Sequence, residues 1–132
     1  MNSEMLQLLN ELNLSQDQID RFKRGEKPGA IWHIFKPDDA DKIRDYLWAY
    51  ERKRSKKSEE KLTQSDRIHD QRFYIDKKML KELEDPTKEF KVKPFTILQF
   101  LGDAIFIPAG APHQVFFYKL YFFCRHHFLQ AN

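Results

Sequence analysis

The sequence predicts an α+β fold in which helices occupy the N-terminal part of the chain and strands the C-terminal part. Up to about residue 90, apolar residues recur at helical spacing among charged ones. Eight of the twelve phenylalanines lie within residues 95–128, in β-branched and aromatic runs bounded by glycine and proline, which is typical of strands. The 132 residues form one domain at most, with a thin core.

Serines open the two helices predicted in the N-terminal helical segment, residues 1–26. Ser3 caps the first helix, whose apolar residues at positions 5, 6, 9 and 12 follow helical spacing. Ser15 and Gln18 form a capping box that opens a second short helix, which continues through Phe22. Both helices are expected to dock on the outside of the strands.

Aspartates open two further predicted helices. Asp38 caps one, and Asp76 caps another that ends at Asp85-Pro86, because the residue before a proline avoids helical angles. The apolar faces are Ile43, Tyr46, Leu47 and Tyr50 in the first and Met79, Leu80 and Leu83 in the second. Between the two helices, residues 51–67 are rich in charge and serine and are expected to form a surface insertion.

Three strands are predicted around these helices. Pro28-Gly29 breaks the chain before a short strand over residues 30–35. Residues 95–101 and 104–107 are expected to pair as antiparallel strands about Gly102-Asp103, a strong hairpin signal. Pro108 lacks a donor for the ladder and Gly110 tolerates unusual backbone angles, so the chain is expected to bend there.

His113 is the candidate metal ligand of the sequence. It follows the turn Pro108-Ala109-Gly110 and the stiffening Pro112, and it begins the next apolar run. A histidine fixed in this way loses little rotamer entropy when it binds a metal. The sequence therefore predicts that a ring nitrogen of His113 faces a barrel interior as a metal ligand.

A complete non-haem iron centre needs two histidines and a carboxylate, commonly begun by His-x-Asp or His-x-Glu. The sequence has no such triplet: Phe35, Gln71 and Phe128 stand two positions after His33, His69 and His126. His33 is expected to be a packed, hydrogen-bonded strand residue. His69 and its neighbour Asp70 are interpreted as structural, because adjacent residues of an extended segment point to opposite faces.

Several blocks, in this order, resemble the JmjC domain of the lysine demethylase 3 (Hairless-like) group over about residues 22–115. They are Lys-Pro-Gly-Ala-Ile-Trp-His-Ile-Phe (27–35), Ile-His-Asp-Gln (68–71) with Tyr74, Gln-Phe-Leu-Gly-Asp (99–103), and Ile-Pro-Ala-Gly-Ala-Pro-His-Gln-Val (107–115). Across the last two blocks, the spacing of Gly102, Pro108, Gly110 and His113 matches that of the second cupin motif.

The resemblance implies a partial cupin barrel, also called a double-stranded β-helix or jelly-roll, with the N-terminal helices packed outside. It also implies a nuclear Fe(II)- and 2-oxoglutarate-dependent dioxygenase that demethylates mono- and dimethylated lysine 9 of histone H3 in chromatin. Only His113 is carried over, as an iron ligand; no catalytic or 2-oxoglutarate-binding residue is assigned.

The chain departs from the family pattern at both ends. The family's His-x-Asp pair lies upstream of Lys27, and Phe117 stands where the family has asparagine. Residues 27–115 therefore resemble the C-terminal part of a JmjC domain, and residues 116–132 form a divergent tail. These departures predict a truncated product that lacks barrel strands on both sides and leaves unpaired aromatic strand edges.

The charge and cysteine content limit the other functions that the sequence could support, namely nucleic-acid binding, zinc binding and membrane insertion. The net charge of +3 is too small to indicate nucleic-acid binding, although the basic cluster at residues 52–57 fits a nuclear localisation signal or a phosphate contact as well as a soluble loop. The single cysteine, Cys124, fits a reducing compartment; a zinc site with Arg125, His126 and His127 is a weak alternative. No membrane span is expected.

Two hypotheses remain. In the first, the chain is a fragment of a demethylase that binds iron and 2-oxoglutarate in its full-length form. In the second, it is a catalytically inactive cupin-like interaction module or an unstable truncated isoform. In either case, the lack of the His-x-Asp pair predicts weak or no cofactor binding and no turnover by these 132 residues.

Overall fold

A computed structural model of the chain describes residues 10–54, 74–118 and 124–130. The helices defined within these ranges are α1 (Gln16–Lys23), α2 (Ala40–Arg54) and α3 (Lys77–Glu84), and a 3-10 turn, Pro37–Asp39, precedes α2. The strands are β1 (Pro28–Ile34), β2 (Phe95–Phe100), β3 (His113–Tyr118) and β4 (Cys124–Gln130). None of the helices in the described part of the chain is long and apolar enough to cross a membrane.

The four strands form one antiparallel sheet in the order β2-β1-β3-β4. Trp32 of β1 lies opposite Ile97 of β2 and Val115 of β3, so these side chains share one face. Ile31, the residue before Trp32, lies opposite Leu98 and therefore faces the other side. This arrangement confirms the α+β class.

Two apolar clusters form the core, and the smaller of them packs α1 and the residues before it against one face of the sheet. The larger joins α2 to α3 and contains Phe35, Ala40, Ile43, Tyr46, Leu47, Ile75, Met79, Leu83 and Val92. The smaller places Ile31, Leu98 and Phe100 against Leu12, Leu14 and Phe22, from α1 and the residues before it. We refer to this side of the sheet as the helix face and to the Trp32 side as the open face.

Two of the predicted helix caps are confirmed. The Ser15 hydroxyl accepts a hydrogen bond from the N–H of Gln18, and the Asp76 carboxylate accepts one from the N–H of Met79. The other half of the capping box is wrong, because the Gln18 amide bonds Leu98 rather than the start of its own helix. The first predicted helix lies mostly outside the described residues, of which 10 and 11 are helical.

The predicted cap at Asp38 is wrong. Asp38 lies inside the 3-10 turn, Lys36 is the residue before that turn, and no side chain caps it. Pro37 starts the turn without a cap because proline has the required φ and no N–H to satisfy. The charged insertion predicted over 51–67 begins inside α2, which extends to Arg54, and its remainder lies outside the described residues.

The strand predicted over residues 104–107 is also wrong, because these residues are not in the sheet. Hydrogen bonds from the side chains of Asp103 and Gln99 stand where the backbone hydrogen bonds of the predicted hairpin were expected. The Asp103 carboxylate accepts from the N–H of Phe100 at 3.1 Å, and the Asp103 carbonyl accepts from the Gln99 amide at 3.0 Å. Leu101-Gly102 turns the chain, with Gly102 at a φ of +87°, and β2 pairs with β1 instead.

Candidate functional site

His113 begins β3 directly after a hydrogen-bonded turn. The N–H of Ala111 donates to the carbonyl of Pro108 at 3.1 Å, and Gly110 takes a φ of +77°. The carbonyl of Pro112 accepts from the N–H of Phe35 at 2.8 Å, which fixes the turn to the end of β1. The predicted bend before His113 is therefore present and anchored on both sides.

The imidazole of His113 is buried, with 8% of the residue exposed. Its Nδ1 lies 2.9 Å from the carbonyl oxygen of Ala111. Because a carbonyl oxygen only accepts, Nδ1 carries the hydrogen, and in the neutral ring Nε2 then has the free lone pair. A backbone carbonyl that holds one ring nitrogen in this way is the usual second contact of a histidine metal ligand.

A polar chain lies beside His113 on the open face. The Trp32 ring centroid is 6.3 Å from that of His113, and Trp32 Nε1 donates to the Gln99 amide oxygen at 2.8 Å. The Gln99 nitrogen donates in turn to the carbonyl of Asp103. Both the indole and its glutamine partner are thus held in fixed orientations near the candidate ligand.

Neighbouring residues of the same two strands form a second constellation on the helix face. Gln114 is 1% exposed, and its amide bonds both backbone groups of Ile75: Oε1 accepts from the N–H at 2.9 Å, and Nε2 donates to the carbonyl at 2.8 Å. Its second N–H points to Nδ1 of His33 at 3.1 Å. Gln114 therefore ties β1, β3 and the segment before α3 together.

His33 is held neutral by this environment. Burial lowers the pKa of His33 from 6.5 to about 4, and Nδ1 accepts from the Gln114 amide, so the proton of the neutral ring is on Nε2. The expectation that His33 is packed and hydrogen-bonded is confirmed. Its ring also borders an apolar cavity of about 330 Å³ on the helix face, together with Ile31, Leu80 and Phe116.

Within residues 10–54 and 74–117, whose side chains the structure describes, no group of three or more histidine, cysteine, aspartate or glutamate side chains could hold a metal ion. His69 and Asp70 lie outside these ranges, as do the side chains of the zinc alternative at Cys124, Arg125, His126 and His127. The residues described thus fit one ligand position, at His113, and not a complete iron centre. The role of His113 stays a prediction.

The antiparallel sheet, the helices beside it and the single buried imidazole that follows a turn of proline and glycine are consistent with part of a cupin-type barrel, the fold of JmjC domains. The family model described as "JmjC domain, hydroxylase" matches residues 24–128. The chain therefore belongs to the JmjC domain family.

Curated relatives agree with this assignment. The chain is 42% identical over 113 residues to the lysine-specific demethylase 3A of Homo sapiens and 51% identical over 88 residues to the lysine-specific demethylase 3 of Drosophila melanogaster. These alignments cover 85% and 67% of the chain. They cover only 8% and 10% of the two relatives, so the chain corresponds to a small part of their length.

Gln114 is the residue that sequence reasoning missed. Gln114 belongs to the last family block, and no local pattern marks a glutamine in an apolar strand as a link to a segment 39 positions away. The one available signal is its position: Gln114 lies between His113 and Val115, which are also buried, and a buried amide requires hydrogen-bond partners.

Proposed function

We propose that this chain is part of a JmjC-type Fe(II)- and 2-oxoglutarate-dependent histone lysine demethylase. The family description is a hydroxylase, and two relatives from different animals are named lysine-specific demethylases. Hydroxylation of an N-methyl group gives a carbinolamine that releases formaldehyde, so the two descriptions fit one reaction. We further propose that the substrate is mono- or dimethylated lysine 9 of histone H3 and that the protein acts on chromatin in the nucleus.

The orientation of His113 carries this proposal. A buried imidazole with Nδ1–H bonded to a backbone carbonyl leaves Nε2 as the only ring atom able to bind a metal. We propose His113 as one of the iron ligands. Because the sequence contains no His-x-Asp or His-x-Glu triplet, we also propose that these 132 residues alone bind iron weakly and do not turn over.

A transplant into a relative tests the functional assignment. Residues 24–115 would replace the corresponding segment of human lysine-specific demethylase 3A, and formaldehyde release from a histone H3 peptide dimethylated at lysine 9 would be measured. We expect release from the chimera, loss of release with His113→Ala, and retention with the surface control Asp38→Ala. A folded chimera without activity would support the inactive interaction module instead.

The isolated chain provides the second arm. It would be titrated anaerobically with Fe(II) in the presence of 2-oxoglutarate and then given oxygen and the same peptide. We expect no formaldehyde above the level of a sample without iron. Robust release that depends on His113 would contradict the proposed inactivity while leaving the family assignment intact.

A further inference from the structure

The cavity on the helix face occupies the gap between the two apolar clusters of the core. Its walls include Leu12 and Ile31 from the smaller cluster and Ile75 and Leu80 from the larger one. Its volume is about 330 Å³, within the range of small-molecule sites. An engineered apolar cavity of about 150 Å³ already binds benzene. The core therefore leaves a space between its two parts that is large enough for a small organic molecule.

One polar atom in the wall of this cavity lacks a hydrogen-bond partner. His33 is 7% exposed, and its Nδ1 accepts from the Gln114 amide, so the hydrogen of the neutral ring is on Nε2. Within the part of the chain that the structure describes, no acceptor bonds this Nε2–H. Buried donors normally have a partner in the protein, in water or in a ligand. The missing partner therefore points to an occupant of the cavity.

The cavity is also the space that this N–H can reach. Nε2 of His33 is not among the polar atoms that are both unpartnered and fully enclosed by protein, so it borders open space. The ring itself lines the cavity. Because Gln114 holds the opposite ring nitrogen at 3.1 Å, the ring has a fixed orientation in this wall. The donor is thus held in place for an acceptor atom inside the cavity.

The charged side chains of the wall cancel one another. The cavity is lined by two lysines, Lys77 and Lys81, and two glutamates, Glu11 and Glu84. Lys77 forms an ion pair with Glu11, which joins α3 to the segment before α1. A charged ligand would lose its hydration here without gaining an opposite charge. The wall therefore favours an uncharged molecule over an anion or a cation.

We propose that this cavity is a binding site for a small, uncharged and largely apolar molecule with one acceptor oxygen, such as a ketone, which receives the Nε2–H of His33. The apolar side chains hold the body of the ligand, and the imidazole fixes its orientation. The site lies on the helix face, whereas His113 lies beside Trp32 on the open face, so the two sites are separate. This proposal does not depend on the proposed demethylase activity.

A pair of probes of the same shape tests the proposal. Acetophenone carries a carbonyl oxygen where α-methylstyrene carries a CH₂ group. Each probe would be titrated into the full chain, and NMR spectra would follow the His33 ring and the methyl groups of Ile31 and Leu80. We expect saturable contacts of both probes with these methyl groups. Only acetophenone should shift the Hε2 proton of His33 downfield, because only its oxygen can accept a hydrogen bond.

A substitution that fills the cavity provides the control for its location. Leu80→Trp places a larger ring in the wall, whereas Leu101→Trp adds the same ring at a residue that is 100% exposed. We expect the dissociation constant of acetophenone to rise about tenfold or more with Leu80→Trp, equivalent to about 1.4 kcal/mol. Leu101→Trp should change this constant by less than about twofold.

Three results would overturn the proposal. The first is the absence of saturable contacts between acetophenone and the Ile31 and Leu80 methyl groups up to the solubility limit, which would leave water as the only occupant. The second is an equal shift of the His33 Hε2 proton with both probes. The third is an unchanged dissociation constant in a folded Leu80→Trp protein. If that variant does not fold, the first two measurements on the wild-type chain decide the matter.

Discussion

Replacing Gln114 by methionine should destabilise the fold more than its conservative size suggests. The side chain is 1% exposed and makes three hydrogen bonds, two to the backbone of Ile75 and one to Nδ1 of His33. Methionine has nearly the same length and shape but is no donor and only a weak acceptor. The variant therefore leaves these buried polar groups unpaired without opening a large cavity.

The expected loss follows from counting those groups. An unsatisfied buried polar group costs about 1–3 kcal/mol. The three partners of Gln114 share one site, so their costs do not add fully, and we expect a loss of about 3–5 kcal/mol in the free energy of unfolding. Because domains of this kind are stable by about 5–15 kcal/mol, this loss is a large fraction of the total stability.

Urea unfolding followed by tryptophan fluorescence and circular dichroism measures this loss. Gln16→Met is the matched control, because the Gln16 amide bonds Asp20 at the exposed surface, and it should change stability by less than about 0.5 kcal/mol. A loss below about 1 kcal/mol for Gln114→Met, with an unchanged urea dependence, would refute the reasoning that this amide holds β1, β3 and the Ile75 segment together.

Three further outcomes are expected from stability measurements. Because burial lowers the pKa of His33 to about 4, the folded state resists a proton that the unfolded state takes up near its ordinary value of 6.5. The free energy of unfolding should thus be highest above pH 6.5 and fall by about 3 kcal/mol as the pH drops to about 4. His33→Asn does not titrate at this position and should flatten this part of the dependence of stability on pH. An unchanged pH dependence in this variant would contradict the lowered pKa of His33. Asp76→Ala should lower the free energy of unfolding by about 1 kcal/mol because the helix cap is lost, whereas Asp38→Ala should lower it by less than about 0.5 kcal/mol. Equal losses in the two variants would argue against a cap at Asp76 alone. Leu83→Ala, at a residue with no exposed surface, should cost about 2–5 kcal/mol in the same urea assay, and a loss below about 1 kcal/mol would show that the cluster between α2 and α3 is loosely packed.

The features that the sequence predicted correctly depend on short-range interactions. Ser15 and Asp76 cap their helices because one oxygen needs only an N–H three residues further on. The bend before His113 depends on proline and glycine within five residues of it. Such features are visible in the sequence because both partners lie in the same short segment.

The features that the sequence did not predict depend on distant partners. Residues 104–107 have a suitable composition for a strand, but a strand needs a ladder, and Asp103 uses the backbone groups of Phe100 where the hairpin was expected. Gln18 fits a capping box locally, yet its amide bonds Leu98, 80 positions away. Gln114 is a second example, because its partners Ile75 and His33 lie 39 and 81 positions earlier in the sequence.

The candidate metal site also has one feature that the sequence predicted and one that it did not. The position of His113 after its turn was predictable, and the hydrogen bond that Nδ1–H donates to the carbonyl of Ala111 follows from that turn. The set of ligands that would complete an iron centre was not, because ligands converge from separate strands and the sequence carries no His-x-Asp or His-x-Glu triplet.

The most direct test of the central claim is the protonation state and metal response of the His113 ring. Long-range ¹H–¹⁵N spectra of the imidazoles distinguish the two neutral tautomers, and substoichiometric Mn(II) broadens the resonances of a ligating ring. The account predicts an Nδ1–H tautomer for His113 with Nε2 unprotonated, and selective broadening of His113 while the ring of His33 stays sharp. An Nε2–H tautomer for His113, or broadening of the His33 ring in place of that of His113, would contradict it.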